Sequence, residues 1–328
     1  MLDADGAPDE EPQSGVKVAT RTSTSRGTVP HAGSGPIVVG VDPTGRSTSA
    51  VLWAAEEAER TDRPLQLVSV YPSESEAADH APMRSDLAGV ARRLTFSDMA
   101  YEVRFGSPTD VLLDAAADGC LLVVSRRADS GIQRRLLGST SMTVAGRSLV
   151  PVVVAPEPWL QPSMASSPVV VGVETRRFLP DTQARRAADA DREVLDFAFE
   201  RADQLRVPLI VVHAFEIPGL TGWSVQDVAA CRHRYEEMLQ ERLQPWRDTY
   251  PDVEVAPRCV PETPRQALLD AARVAQLTVL GRHSGGQLRG TQLGSTTRAF
   301  LFRAEQPVAV VPTPAARIDI EEAEDAGA

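Results

Sequence analysis

The sequence predicts an α/β protein built of two tandem doubly wound domains, each a five-stranded parallel sheet flanked by helices. Three observations carry that expectation. Short β-branched runs alternate with amphipathic stretches, the pattern of parallel strands joined by right-handed helical crossovers. The pattern occurs twice: shifted by 156 residues, Phe105–Ala155 aligns with Pro261–Val311 without a gap, and 17 of 51 positions are identical. Such self-similarity marks an internal duplication. The length, 328 residues, exceeds one ordinary core and suits two domains of about 100–200 residues each.

In copy one, Pro36–Asp42 is β-branched and bounded by turn residues, which predicts a buried first strand. Ser47 is placed to cap the helix that follows, with Val51, Ala54, Ala55 and Ala58 on its apolar face. Leu65–Tyr71 reads as strand two, 81–95 as a helix and Tyr101–Phe105 as strand three. Ser107-Pro108-Thr109-Asp110 opens the next helix with a cap residue, proline at the first helical position and an acid after it. Copy two repeats the device as Thr263-Pro264-Arg265-Gln266, the pattern of a capping box. Cys120–Ser125 reads as strand four, 138–148 as the last helix and Pro151–Ala155 as the last strand.

The opening Val38-Val39-Gly40-Val41-Asp42 matches Val170-Val171-Gly172-Val173-Glu174, so copy two holds extra residues before the aligned block. The domain limits follow as 36–155 and 168–312. Residues 156–167, with three prolines followed by small polar residues, read as a linker. Residues 1–35 and the acidic 313–328 lack the large apolar residues needed to offset chain entropy and read as disordered.

Lys+Arg is 34 against 45 Asp+Glu, a net charge of −11, which argues against broad nucleic-acid or anionic-membrane binding. Cys120, Cys231 and Cys259 are well separated, form no metal or redox pair, and read as packing residues. The apolar runs are too short to cross a bilayer and the N-terminus has no signal-peptide character, so a cytoplasmic location is expected. There is no Walker lysine, nucleophile elbow, HExxH or GxGxxG after the first strand. The chain is therefore read as a binding protein, with no catalytic residues and no metal site.

In doubly wound sheets, ligands bind beyond the carboxyl ends of the strands, near the switch in strand order. Asp42 and Glu174 end strand one of their copies. A carboxylate there accepts from ribose hydroxyls or an adenine amino group, or else serves as a turn acid. Gly138-Ser139-Thr140 and Gly294-Ser295-Thr296 open the last helices, where exposed N–H groups and the helix dipole suit a phosphate; an ordinary cap has the same composition. Arg126, Arg127, Arg134 and Arg135 flank the copy-one loop, and Arg282 and Arg289 the copy-two loop. They read either as phosphate ligands or as solvated loop charge. His283 reads as a loop histidine, and His213 lies along strand two.

The loop spacing resembles the universal stress protein family, whose motif is glycine, two residues, glycine, nine residues, glycine, then serine or threonine. Copy one reads Ser125–x2–Ala128–x9–Gly138–Ser139, and copy two Gly281–x2–Ser284–x9–Gly294–Ser295. The resemblance covers nearly all of the folded chain and implies strand order 3-2-1-4-5 in each domain. Some members of that family bind ATP. Carried over, the cofactor-binding residues are Asp42, Val70, Ser125, Ala128, Gly138, Ser139 and Thr140 in copy one. In copy two they are Glu174, Ala214, Gly281, Ser284, Gly294, Ser295 and Thr296. Copy one lacks the first two motif glycines and copy two the second, so the expectation is weak ATP binding through a degenerate loop, with copy one favoured. The alternatives are an interaction module without nucleotide and a slow ATP hydrolase. The family commonly pairs through its last strands, which implies an intramolecular pseudo-dimer through Val152-Val153-Val154 and Val308-Ala309-Val310; a homodimer of the whole chain is the wider form of that expectation.

Overall fold

The computed structural model describes residues 17–20, 35–42, 46–75, 98–127, 139–159, 166–174, 181–215, 224–282 and 293–312. Copy one comprises β2 (Ile37–Val41), α1 (Thr48–Thr61), β3 (Leu65–Tyr71), β4 (Met99–Phe105), α2 (Pro108–Ala116), β5 (Leu121–Arg127), α3 (Ser139–Arg147) and β6 (Val152–Glu157). Copy two comprises β7 (Val169–Gly172), α4 (Asp181–Leu205), β8 (Leu209–Ala214), α5 (Val225–Thr249), β9 (Val255–Val260), α6 (Pro264–Ala272), β10 (Leu277–Gly281), α7 (Ser295–Leu301) and β11 (Val308–Val311). A further strand, β1 (Lys17–Thr20), precedes them. The helix expected at 81–95 lies outside the described residues.

All strands join one sheet of order β1-β4-β3-β2-β5-β6-β11-β10-β7-β8-β9. Read inward from its outer edge, each copy has the expected order 3-2-1-4-5, all parallel within the copy. The copies meet where β6 runs antiparallel to β11, with Val154 opposite Val308, Val153 opposite Ala309 and Val152 opposite Val310. These are the two edges that the sequence singled out, and pairing removes both as exposed templates.

Two expectations are corrected. β1 falls inside 1–35, expected to be disordered throughout, and pairs in parallel with Ala100–Val103 of β4. The open edge of β4 offers unpaired N–H and C=O groups, and a short extended segment satisfies them without bringing a core of its own. The linker also begins later than 156. Pro156 and Glu157 still pair with Arg126 and Arg127 as the end of β6, and the Glu157 carboxylate accepts the Ser49 N–H at 2.9 Å. A carboxylate there complements the positive end of α1.

Because side chains alternate along strands, the sheet has two buried faces. Helices α1, α4 and α5 cover one; α2, α3, α6 and α7 cover the other. Each face's core runs through both copies, so the cores are divided by the sheet and not by the duplication. Val51, Ala54, Ala55 and Ala58 are buried as the helical period requires. Gly40 and Gly172 are explained by close packing: a Cβ at Gly40 would lie 2.9 Å from Leu112, and at Gly172 2.9 Å from Leu268. Those leucines are equivalent positions of α2 and α6, so both helices dock against a bare backbone.

The caps follow the expected sites with different bonds. Ser47 holds the cap position of α1, but its Oγ accepts the Asp42 N–H at 2.8 Å. Thr263 accepts the Gln266 N–H at 3.4 Å, while the Gln266 side chain turns to Asp270, which leaves the capping box half formed. The reciprocal box occurs instead at Ser224 and Asp227, opening α5.

Candidate functional site

The strand registers bring the copy-one candidates together at one sheet edge. Val41 pairs with Ser69, so the next step outward sets Asp42 beside Val70. Gly40 pairs with Val124, which sets Ser125 beside Val41. This is the switch point, where the chain leaves β2 to one side and β5 to the other. Val70 is buried on the α2 face, and Asp42 and Thr140 are half-buried. Ser139 starts α3. Ala128 and Gly138 lie outside the described residues. Ser69, Val41 and Ser125 form a row on the α1 face. The Oγ atoms of Ser69 and Ser125 are both buried without a hydrogen-bond partner. Buried hydroxyls normally find partners, so this row is incompletely satisfied.

Copy two repeats the layout, with Glu174 beside Ala214 and Gly281 beside Val173. Its strand-one end, however, is occupied by side chains of its own helices. Arg242 of α5 donates to the Glu174 carbonyl at 3.1 Å, and its guanidinium lies 2.9 Å from the Asp191 carboxylate of α4. Burial pushes the Asp191 carboxyl up to about 6 against the pull of Arg242. His213 approaches the Val173 carbonyl at 3.4 Å and packs on Tyr235, with ring centroids 4.8 Å apart. Phe215 completes the group, 4.9 Å from Tyr235. Burial holds the His213 pKa down, so the neutral ring is favoured. At the start of α7 the Gly294 N–H donates to the Arg282 carbonyl at 2.9 Å, and Thr297 Oγ1 to the Gly281 carbonyl at 2.9 Å. Ser295 is exposed and Thr296 half-buried. Ser284 and His283 lie outside the described residues.

Two arginines are corrected. Arg126 and Arg282 were read as phosphate ligands or solvated loop charge; they are neither. Arg126 Nη1 donates to the Phe302 carbonyl at 2.8 Å and Nη2 to the Ala304 carbonyl, both at the C-terminal end of α7. Arg282, only 1% exposed, donates through Nη2 to the Ser148 carbonyl after α3. Positions 126 and 282 are equivalent, as are 148 and 304. Each copy thus sends an arginine to the carbonyl end of the other's last helix, where cations are favoured. Their identity in the internal alignment was the available signal. The side chain of Arg127 is not described, and Arg134, Arg135 and Arg289 lie outside the described residues.

The sequence reading also missed a buried ion pair between the copies. Glu57 of α1, 1% exposed, accepts from both Arg60 and Arg201, the latter on α4 and 8% exposed. Arg201 also donates to Gln204 at 2.6 Å and lies over the Phe197 ring, 4.8 Å from its centroid. Beside the pair is a cavity of about 10 Å³ lined by Trp53, Trp159 and Gln276.

Among the described residues, no group of three or more His, Cys, Asp and Glu could hold a metal ion, and no helix is long and apolar enough to cross a membrane. Cys259 is buried in the core, with Cys120 and Cys231 packed against it.

The fold and this edge define a class: a tandem pair of doubly wound, Rossmann-like α/β domains, joined through their last strands, with candidate ligand groups at each switch point. The sequence profile of the universal stress protein family matches residues 34–156 and again 187–312. The chain belongs to that family. It is similar to the universal stress protein Rv2005c of Mycobacterium tuberculosis (strain ATCC 25618 / H37Rv), 30% identical over 303 residues that span 84% of this chain and 96% of that one. Rv1996 of the same strain is 27% identical over 319 residues, spanning 85% and 95%. Among solved structures, a putative universal stress protein from Pseudomonas aeruginosa UCBPP-PA14 superposes with TM-score 0.61 at 17% identity, covering 88% of this chain and 97% of that one. One from Archaeoglobus fulgidus DSM 4304 gives 0.57 at 18%, covering 84% and 96%. These structures are similar in fold.

Proposed function

We propose that this protein is a cytoplasmic regulatory or protective component of a stress response that binds an adenine nucleotide weakly, in copy one, without turning it over. The observation that carries the choice of copy is that Arg242 of α5 occupies the strand-one end of copy two, bonded to the Glu174 carbonyl. In copy two, Arg242, Asp191 and the His213 ring engage the strand-one end, and the Gly294 N–H is spent on Arg282. In copy one, the row beside Asp42 carries two buried hydroxyls, Ser69 and Ser125, without partners. In this reading Asp42 accepts from the nucleoside, Val70 packs against it, and the Gly138–Thr140 helix start receives phosphate through its N–H groups. Ala128 replaces a motif glycine and adds a methyl group near the phosphate path, which accounts for weak binding. The working unit is the intramolecular pair formed across β6 and β11.

The test is ATP titration by calorimetry of the wild type, Gly138→Asp and Gly294→Asp. A new carboxylate at a helix start repels phosphate. The expected result is loss of binding in Gly138→Asp and retention in Gly294→Asp. The reverse pattern overturns the assignment. A second reading is an interaction module without nucleotide. That reading, which the occupied strand-one end of copy two supports, prevails if the wild type shows no heat at millimolar ATP.

A further inference from the structure

The ion pair between the copies joins equivalent positions of the duplication. The C-terminal ends of α1 and α4 superpose residue by residue with a shift of 144. Asp62 and Arg206 both take left-handed φ, 51° and 54°. Arg63 N–H bonds to the Ala58 carbonyl, as Val207 N–H does to that of Ala202. Pro64 and Leu65 match Pro208 and Leu209. On that alignment position 57 corresponds to position 201. Glu57 therefore meets its own counterpart, Arg201, across the pseudo-twofold axis.

A residue on a twofold axis faces itself in any pairing of identical units. The β6 and β11 edges do not discriminate between copies: both are short, valine-rich and able to pair antiparallel with either kind. Two copies one, paired through β6, would set Glu57 against Glu57. Two copies two would set Arg201 against Arg201. Both would bury like charges at a site where Glu57 is already almost wholly out of water. In the unlike pair the carboxylate at the axis faces a guanidinium directly, and Arg60 of the same helix pairs with the second Glu57 oxygen. Copy two offers no second acid there: Arg60 corresponds to Gln204, whose Oε1 accepts from Arg201.

We propose that Glu57 and Arg201 are the determinants that restrict last-strand pairing to unlike copies, so that copy one accepts copy two and rejects copy one of another chain. Linkage within the chain favours the unlike pair once both copies are folded. The charge pair acts before that. N-terminal units fold first during synthesis. A folded copy one then presents β6 and Glu57 while its own copy two is still incomplete, and the neighbours able to pair with it are other copies one. Like-charge juxtaposition across an interface suppresses such wrong partners.

The experiment is refolding of the full chain from urea over a concentration series, with mass read by light scattering. Three chains are compared: wild type, the reversed pair Glu57→Arg/Arg201→Glu, and the neutral pair Glu57→Leu/Arg201→Leu. Wild type and the reversed pair should refold to single-chain mass throughout, because unlike positions remain complementary in both. The neutral pair should give a two-chain fraction that grows with concentration, because Leu against Leu is as acceptable between like copies as between unlike ones. Clean single-chain refolding of the neutral pair overturns the proposal. Equal association of the neutral and reversed pairs also overturns it, since the loss would then lie in packing and not in charge complementarity. The single variant Arg201→Glu provides an independent readout. It should melt lower than wild type, and adding Glu57→Arg should recover more than half the loss; no recovery counts against the proposal.

Discussion

At the junction between the copies, equivalent positions are used in opposite ways on the two faces of the sheet. On the face covered by α2, α3, α6 and α7, Arg126 and Arg282 perform one task twice, each reaching the carbonyl end of the other copy's last helix. On the face covered by α1, α4 and α5, Glu57 and Arg201 perform one task once, and only because they differ. The difference follows from distance to the axis. A contact off the axis occurs twice, so one residue type serves both copies. A contact on the axis joins a position to itself, and a charge there is tolerable only if the copies diverge. Each face thus keeps a different trace of the duplication: Arg126 and Arg282 suit a symmetric pair, whereas Glu57 and Arg201 require an unlike one.

Three perturbations separate these contributions, the largest first. Val153→Lys places an ammonium in the middle of the β6–β11 ladder, where Val153 is fully buried opposite Ala309. It should disturb both faces at once and cost about 4 kcal/mol or more. Thermal unfolding and protease cleavage between β6 and β7 read the effect, and unchanged values in both would place the junction elsewhere.

The paired arginines should be unequal despite their equivalent roles. Removing Arg282 leaves the Ser148 carbonyl unsatisfied in a buried site and opens a cavity, for about 3 kcal/mol. Arg126 is less buried, and burial holds its pKa down, so Arg126→Ala should cost about 1–2 kcal/mol. Equal losses in denaturant titrations would show that burial does not set the ranking.

The last effect is one of pH and belongs to copy two. The Asp191 carboxyl is pushed up to about 6 in the fold, whereas the unfolded value is about 4. The folded state therefore holds this proton more tightly than the unfolded one. Its contribution is most favourable below the unfolded value and declines as pH rises through the folded value. The ceiling of that decline is about 3 kcal/mol, from about two pKa units. Asp191→Asn abolishes it, so the stability of wild type relative to the variant should fall as pH rises from about 4 to about 6 and then level off. His213 acts in the opposite sense, because burial disfavours its charged form, and acidification destabilises the fold through it. Comparison with Asp191→Asn isolates the carboxylate because His213 is common to both chains.

The strands and most helices were legible because their signals are local. Leu65–Tyr71 was bounded correctly at both ends, and the two Pro-started helices kept their cap positions. The pairing of β6 with β11 was legible too, through the family resemblance applied to two valine-rich last strands. The candidate edge was legible as a set of positions: Asp42, Val70 and Ser125 do converge, by strand register alone. What those positions experience was not. Arg242 and Asp191 lie 68 and 17 residues from Glu174 and carry no motif. A charged residue on a long helix has the same sequence signature whether it faces water or a strand end.

By itself, the amino-acid sequence determined the duplication, the doubly wound class, the strand order through family resemblance, and which positions gather at the candidate edge. Each rests on periodicity or on repetition, which survive in one dimension. The tertiary structure alone decided which arginines reach across the junction, that Glu57 and Arg201 are one contact, that β1 extends the edge of β4, and that Arg242 occupies the strand-one end of copy two. Those facts depend on which side chains share a buried space. Burial turns an ordinary surface charge into one that must be paired, and no spacing along the chain records it.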